Sequence, residues 1–205
     1  VFTMYEGWDA ESPKRSCLVN KRMMAGMEKS SQFHQKREAL IEKIYDADEI
    51  GQRILNGDGG SWIKETYDPD ALFQLDRFHI YKEIKKKIRD TEAQERIKEL
   101  LEQKKVDEVL EYIRVYADSI ESDDPKDKGS NKYLGNNREG LVPYQERGIE
   151  LPEAPEGIAY KNMGVQENQN CTAVTMRMKH RRMRWSVNGA NNMAKALYRK
   201  ENKEL

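Results

Sequence analysis

The stretch "RILNGDGGSWIKETYDPDALFQLDRFHIYKEI", residues 53–84, decides how this chain is read. Two short apolar runs each end near an acidic residue, Asp58 and Asp76, and each is followed by a helix signal. "RILNGDG" reads as a strand, Ser61 as the N-cap of a short helix over "WIKETY", and "ALFQLDR" as the next strand. Asp58 then stands at the carboxyl end of a strand, where ligands approach open α/β sheets. Gly59 and Gly60 after it allow tight backbone geometry and leave room for a phosphate or a metal. The plain alternative is that Asp-Gly is a common turn. Asp76 likewise has two readings. It caps a helix beginning near Phe78, with His79 an ordinary first-turn residue. Or Asp76 and His79 face the same end of the sheet as Asp58 and shape a site for a phosphodiester.

Upstream, "VFTMYEGW" (residues 1–8) reads as one strand ending at Gly7, and a second, short strand is expected around Ser16–Asn20. Phe33, Leu40, Ile41, Ile44 and Tyr45 recur at helical spacing and predict a helix from Glu28 to Ile50, with Gly51 at its end. Downstream, Ile80, Ile84, Ile88, Ile97, Leu100, Leu101, Val109, Leu110 and Ile113 predict two or three helices between residues 78 and 122, broken near Asp90 and Val106. The acidic run "DSIESDDPKD" (118–127) ends them. A further helix, interrupted by Pro143, is expected over 130–148. Pro152 and Pro155 make 150–160 an extended connection. Two more helices follow, roughly Asn168–Met183 and Val187–Lys200.

Charge adds one local signal. The 205 residues carry 36 basic and 36 acidic side chains, so net charge by itself points to no nucleic-acid partner. The block "MRMKHRRMR" (176–184) does: Arg177, Lys179, Arg181, Arg182 and Arg184 are dense enough to suggest phosphate contact. Glu167 opens the helix that carries this block, where the helix dipole favours a carboxylate in any case. Other classes are excluded. Residues 46–51, "DADEIG", fail as an EF-hand because Ile50 and Gly57 occupy ligand positions. No Gly-Lys-Ser/Thr follows a glycine loop, so there is no P-loop. Cys17 and Cys171 fit no zinc spacing with His34, His79 or His180, and two cysteines suggest reduced thiols. There is no apolar run of about 18 residues, which argues against a membrane span.

Four motifs in order, "GDGGSWIK" (57–64), "LDRFH" (75–79), "MGVQEN" (163–168) and "RMKHRRMRWSVNGANNMAK" (177–195), resemble the ISLre type of bacterial insertion-sequence transposases, which are similar to Mutator-like transposases. The resemblance implies an α/β fold: an RNase H-like catalytic core, truncated at its N-terminus, with an all-helical insertion. It divides the chain into 1–84 (part of the core), 85–150 (the insertion) and 151–205 (helices completing the core). It implies DNA cleavage and strand transfer through an Asp-Asp-Glu site with two Mg²⁺ ions, Mn²⁺ being able to substitute. Asp58 is then the second catalytic Asp and Glu167 the catalytic Glu, both as metal ligands, with Asp76 and His79 as an accessory Asp-x-x-His pair. Arg177, Lys179, Arg181, Arg182, Arg184 and Trp185 would lie along donor or target DNA. The first Asp belongs on a strand ahead of "FTMYEGW", so the chain is expected to be a fragment, inactive by itself. Homo-oligomers acting on transposon ends in the bacterial cytoplasm, at the nucleoid, complete the expectation. The alternatives are another RNase H-like nuclease, or a catalytically inactive helical DNA-binding module.

Overall fold

A computed structural model describes residues 1–12, 17–64, 71–119, 129–179 and 183–204. The chain mixes helix and strand and divides into two compact units, Val1–Gly51 with Pro152–Leu205, and Gln52–Leu151. It begins with four short strands, β1 (Phe2–Met4), β2 (Gly7–Asp9), β3 (Leu18–Val19) and β4 (Arg22–Met24), and the helix α1 (Ser30–Ile44). The central unit follows with β5 (Ile54–Gly57), α2 (Ser61–Lys64), β6 (Leu72–Leu75), α3 (Arg77–Lys87), α4 (Thr91–Glu102), α5 (Val106–Ser119), α6 (Gly129–Asn136) and α7 (Arg138–Leu141). The last part of the first unit then holds β7 (Ile158–Ala159), α8 (Gln166–Gln169), a π-helical segment (Asn170–Thr175), α9 (Met176–Met178) and α10 (Val187–Glu201).

Among the described residues the strands form three small sheets: β1 with β4, β3-β2-β7, and β5 with β6. Only the last pair is parallel, in register from Ile54 opposite Leu72 to Gly57 opposite Leu75. A parallel pair requires a crossover between its strands, and here α2 lies in it.

The central unit is built on helical periodicity. Ile80, Ile84 and Ile88 face inward from α3 and its end, Ala93, Ile97 and Leu100 from α4, and Val106, Val109 and Ile113 from α5. Leu134, Leu141 and Leu75 of β6 close the same cluster. Each of the isoleucine, leucine and valine side chains contributes about 1.5–3 kcal/mol on burial. Asp90 caps α4 through a bond from Ala93 N at 2.9 Å, which sets the break expected there. α7 lies against β6 at Gly140, where a Cβ would stand 2.8 Å from the Leu75 nitrogen. Gln74 of β6, buried, fixes that approach by donating to the Gly140 carbonyl at 2.8 Å, and Arg147 donates to the Gln74 side-chain oxygen at 3.0 Å.

In the other unit Trp8, Met23, Met24 and Phe33 are buried with the small residues Ala173, Ala190 and Ala194. α10 is tied to β4 by polar bonds. Asn202, after α10, accepts from Met23 N at 2.8 Å and donates to Met23 O at 3.0 Å.

Several boundaries differ from the sequence reading. "VFTMYEGW" is two strands in two sheets, parted at Tyr5–Glu6, and the Glu6 carboxylate accepts from Asn20 Nδ2 and the Tyr45 hydroxyl at 2.8 and 2.9 Å. α1 stops at Ile44 because Asp46 captures Asp48 N at 3.1 Å and turns the chain into a short 3-10 helix, Ala47–Glu49. The break between α6 and α7 falls at Asn137, ahead of Pro143. The helix expected over Asn168–Met183 begins at Gln166, passes through a π segment in which Thr172 donates back to Asn168 O at 2.8 Å, and ends at Met178. Cys17 and Cys171 are exposed and unbridged, and among the described residues no helix is long and apolar enough to cross a membrane.

Candidate active site

Asp58 and Asp76 follow the ends of neighbouring parallel strands, β5 and β6, and a backbone bond from Asp76 N to Gly57 O at 2.8 Å holds the two ends together. Both turn-chemistry readings hold locally. Asp58 Oδ1 accepts from Gly60 N at 3.0 Å, closing a turn in which Gly59 takes a φ of +80°, a conformation that favours glycine. Asp76 Oδ1 caps α3, accepting from Phe78 N at 2.9 Å and, more weakly, from His79 N at 3.4 Å.

The two aspartates then part company. Asp58 is exposed, whereas Asp76 is 2% exposed and its Oδ2 meets no hydrogen-bond donor among the described residues. A buried carboxylate oxygen without a partner is costly, which is why nearly all such atoms are satisfied. His79 Nδ1 stands 3.4 Å from Asp76 Oδ1, and the His79 ring meets Phe78 edge-on at 5.4 Å between centroids. At 3.4 Å the imidazole contact is a long one.

The helical segment reaches the same turn. The Tyr133 hydroxyl of α6 donates to the Asp58 carbonyl at 2.7 Å. Burial, and then the charges of Asp58, Glu83 and Asp76, push that hydroxyl up to about 12. Three carboxylates therefore act on one half-buried phenol. Asn137 donates from Nδ2 to Tyr133 O at 2.7 Å, and its amide lies against Gly59, where a Cβ would meet Asn137 Oδ1 at 2.7 Å. Asn137 is 4% exposed, and Oδ1 has no partner among the described residues. Sequence reasoning did not single out Tyr133, Asn137 or Glu83. An Asn just before "REGL" is a recognisable cap signal, but its side chain makes no cap bond and turns back to Tyr133 instead.

Glu167 belongs to the other unit, on α8, exposed and one turn ahead of the π segment. π-bulges inside helices recur at functional sites. Among the described residues, no three His, Cys, Asp or Glu side chains converge as a metal-holding group.

The basic block is partly in view. Arg177, Lys179 and Arg184 are exposed; Arg181 and Arg182 lie outside the described residues. Trp185 folds back to donate from Nε1 to Met178 O at 3.0 Å, yet stays 40% exposed. Met176, Met183 and Val187 are exposed nearby in sequence.

The fold and the strand-end turn define a mixed helix–strand protein with carboxylates at the carboxyl end of a parallel strand pair. The chain belongs to UPF0236, an uncharacterised protein family, whose model matches residues 1–203. No curated protein and no solved structure matches it.

Proposed function

We propose that this chain carries the catalytic and DNA-contacting parts of a DNA transposase of the Asp-Asp-Glu kind, built on an RNase H-like core. The observation that supports this most is the parallel, in-register pair β5–β6 with Asp58 and Asp76 at its carboxyl end, the edge at which open α/β sheets take ligands. The ordered motifs around Asp58, Asp76, Glu167 and the basic block point the same way.

Asp58 and Glu167 are the residues that would hold divalent cations, and hard carboxylate oxygens suit Mg²⁺, or Mn²⁺ in its place. The exposed Asp58 carboxylate and the unpartnered Asp76 Oδ2 fit that chemistry. When bound, such ions supply Lewis acidity for in-line attack on a phosphodiester. The chain's own residues do the rest. The Gly60 amide orients the Asp58 carboxylate, Asp76 anchors α3 so that His79 stays beside the turn, and Arg177, Lys179 and Arg184 neutralise DNA phosphates. Trp185 offers a face for a base or sugar. Self-association on paired DNA ends, in the bacterial cytoplasm, belongs to the same proposal.

The test is cleavage and joining of linear DNA ends by the longest natural open frame containing this chain, with Mg²⁺. Asp58→Asn and Glu167→Gln should each lower both rates by 100-fold or more, on the order of the loss of a metal ligand. Cleavage without joining would indicate a nuclease of another kind. DNA binding that weakens with salt but ignores both Mg²⁺ and Asp58→Asn would instead make the chain a non-catalytic binding module. In either DNA-binding case Arg184→Ala should reduce the salt slope of log affinity by about 1.

A further inference from the structure

Two buried oxygens without partners flank the Asp58 turn, and they come from different parts of the central unit. Asp76 Oδ2 follows β6, and Asn137 Oδ1 comes from the junction of α6 and α7. Each residue spends its other polar atom locally: Asp76 Oδ1 on the first amides of α3, and Asn137 Nδ2 on the Tyr133 carbonyl. What remains on each is an acceptor, and no donor faces either among the described residues. Two buried acceptors beside an exposed carboxylate call for a ligand rich in donors. A hydrated divalent cation is such a ligand, because its bound waters donate hydrogen bonds outward.

Gly59 and Tyr133 show that the approach of Asn137 is built. Any side chain at Gly59 would collide with the Asn137 amide, at 2.7 to 2.9 Å from a Cβ. The Tyr133 hydroxyl pins the same loop through the Asp58 carbonyl at 2.7 Å. The turn is therefore held from the helical side while its carboxylate stays in solvent.

We infer that Asn137 is a positioning residue of the Asp58 site, its amide oxygen accepting, with Asp76 Oδ2, hydrogen bonds from the water shell of a divalent cation held by the Asp58 carboxylate. This rests on the reading that a divalent cation binds at Asp58. The helical segment is then part of the cation site as well as a packing partner of β6.

The experiment titrates Mn²⁺ into the full chain, reading free Mn²⁺ by electron paramagnetic resonance, with thermal midpoints measured without metal. Asn137→Leu and Asn137→Asp both lose the donor to the Tyr133 carbonyl, so both should lower the midpoint. Their Mn²⁺ affinities should separate. Asn137→Leu removes the acceptor and should weaken binding about 10-fold, the low end for outer-shell partners of a metal. Asn137→Asp keeps an acceptor oxygen and should bind at least as tightly as the wild type. Equal weakening in both variants, or loss of affinity in Asn137→Asp alone should Asn137→Leu fail to fold, would overturn the inference and reduce Asn137 to a structural role. So would wild-type affinity in Asn137→Leu. In these cases loss of Mn²⁺ binding by Asp58→Asn leaves the cation reading standing. Mn²⁺ binding that survives Asp58→Asn, or is absent from the wild type, overturns both.

Discussion

In Gln52–Leu151 the interior is aliphatic and comes from one continuous stretch of chain, whereas the unit made from the two chain ends depends on polar side chains to join α10 to the strands. In the first, Ile84, Ile97, Leu134 and Val109 are each fully buried, and the Arg138–Asp107 pair that links α7 to α5 at 2.7 Å is exposed. In the second, Asn202 grips both backbone groups of Met23, Asn191 accepts from Met27 N at 3.1 Å, and Lys21 bridges Gln169 and Glu201 at 3.2 and 3.0 Å. An aliphatic core loses stability in proportion to the volume removed. A polar tie fails differently, because removing one partner leaves the other buried and unsatisfied.

The largest expected effect follows from the aliphatic side. Ile97→Ala removes a fully buried side chain at the centre of α4 and should destabilise the central unit by about 2–5 kcal/mol in urea unfolding. Ile97→Leu keeps the volume and should cost less than about 1.5 kcal/mol. If the two variants lost equal stability, packing would not be what holds this unit.

A smaller loss is expected at the polar tie. Asn202→Ala removes two bonds to Met23, each worth about 1 kcal/mol net, and leaves two buried backbone groups without partners, for about 2–3 kcal/mol in all. Hydrogen exchange makes the comparison sharper. The Met23 amide should exchange faster in Asn202→Ala, while amides of α4 in the central unit should not change. Faster exchange in both units would mean that they unfold as one, and the contrast between them would fall.

The same contrast explains what could be read from sequence. Ile80, Ile84 and Ile88, then Ala93, Ile97 and Leu100, repeat at a helical period, so the helices of the central unit and the breaks near Asp90 and Val106 were legible from neighbours a few positions away. The strand ends at Asp58 and Asp76 were legible too, because Gly-Asp-Gly and an Asp before a helix carry local backbone chemistry. Asn202, Asn137 and Tyr133 were not. Their partners Met23, Gly59 and Asp58 lie far away in sequence, and a lone Asn or Tyr carries no periodic signal of such a partner. The split of "VFTMYEGW" was hidden for a related reason: the Tyr45 hydroxyl and the Asn20 amide claim the Glu6 side chain from distant positions.

Among the described residues, Tyr45 in one unit and Tyr133 in the other are half-buried tyrosines whose hydroxyls are pushed up to about 12, and the two differ in cause. For Tyr45 burial comes first, then the hydrogen bond to Glu6 and its charge; for Tyr133 burial comes first, then the charges of Asp58, Glu83 and Asp76. An ordinary phenol ionises near 10, so the folded state favours the neutral form of both. The stability each contributes is fully present below about pH 10 and is lost as pH rises from there towards about 12. In phenolate absorbance against pH, Tyr45→Phe and Tyr133→Phe should each remove one late-titrating component. The smallest expected effect discriminates best. Glu6→Gln should bring Tyr45 down and leave Tyr133 unmoved, while Asp58→Asn should do the reverse. The Asp58→Asn shift should be modest, since burial remains the larger cause and Asp58 faces solvent. A Tyr133 titration indifferent to Asp58→Asn would mean that the carboxylate does not act on the phenol, and would leave only the backbone carbonyl joining Asp58 to the helical segment.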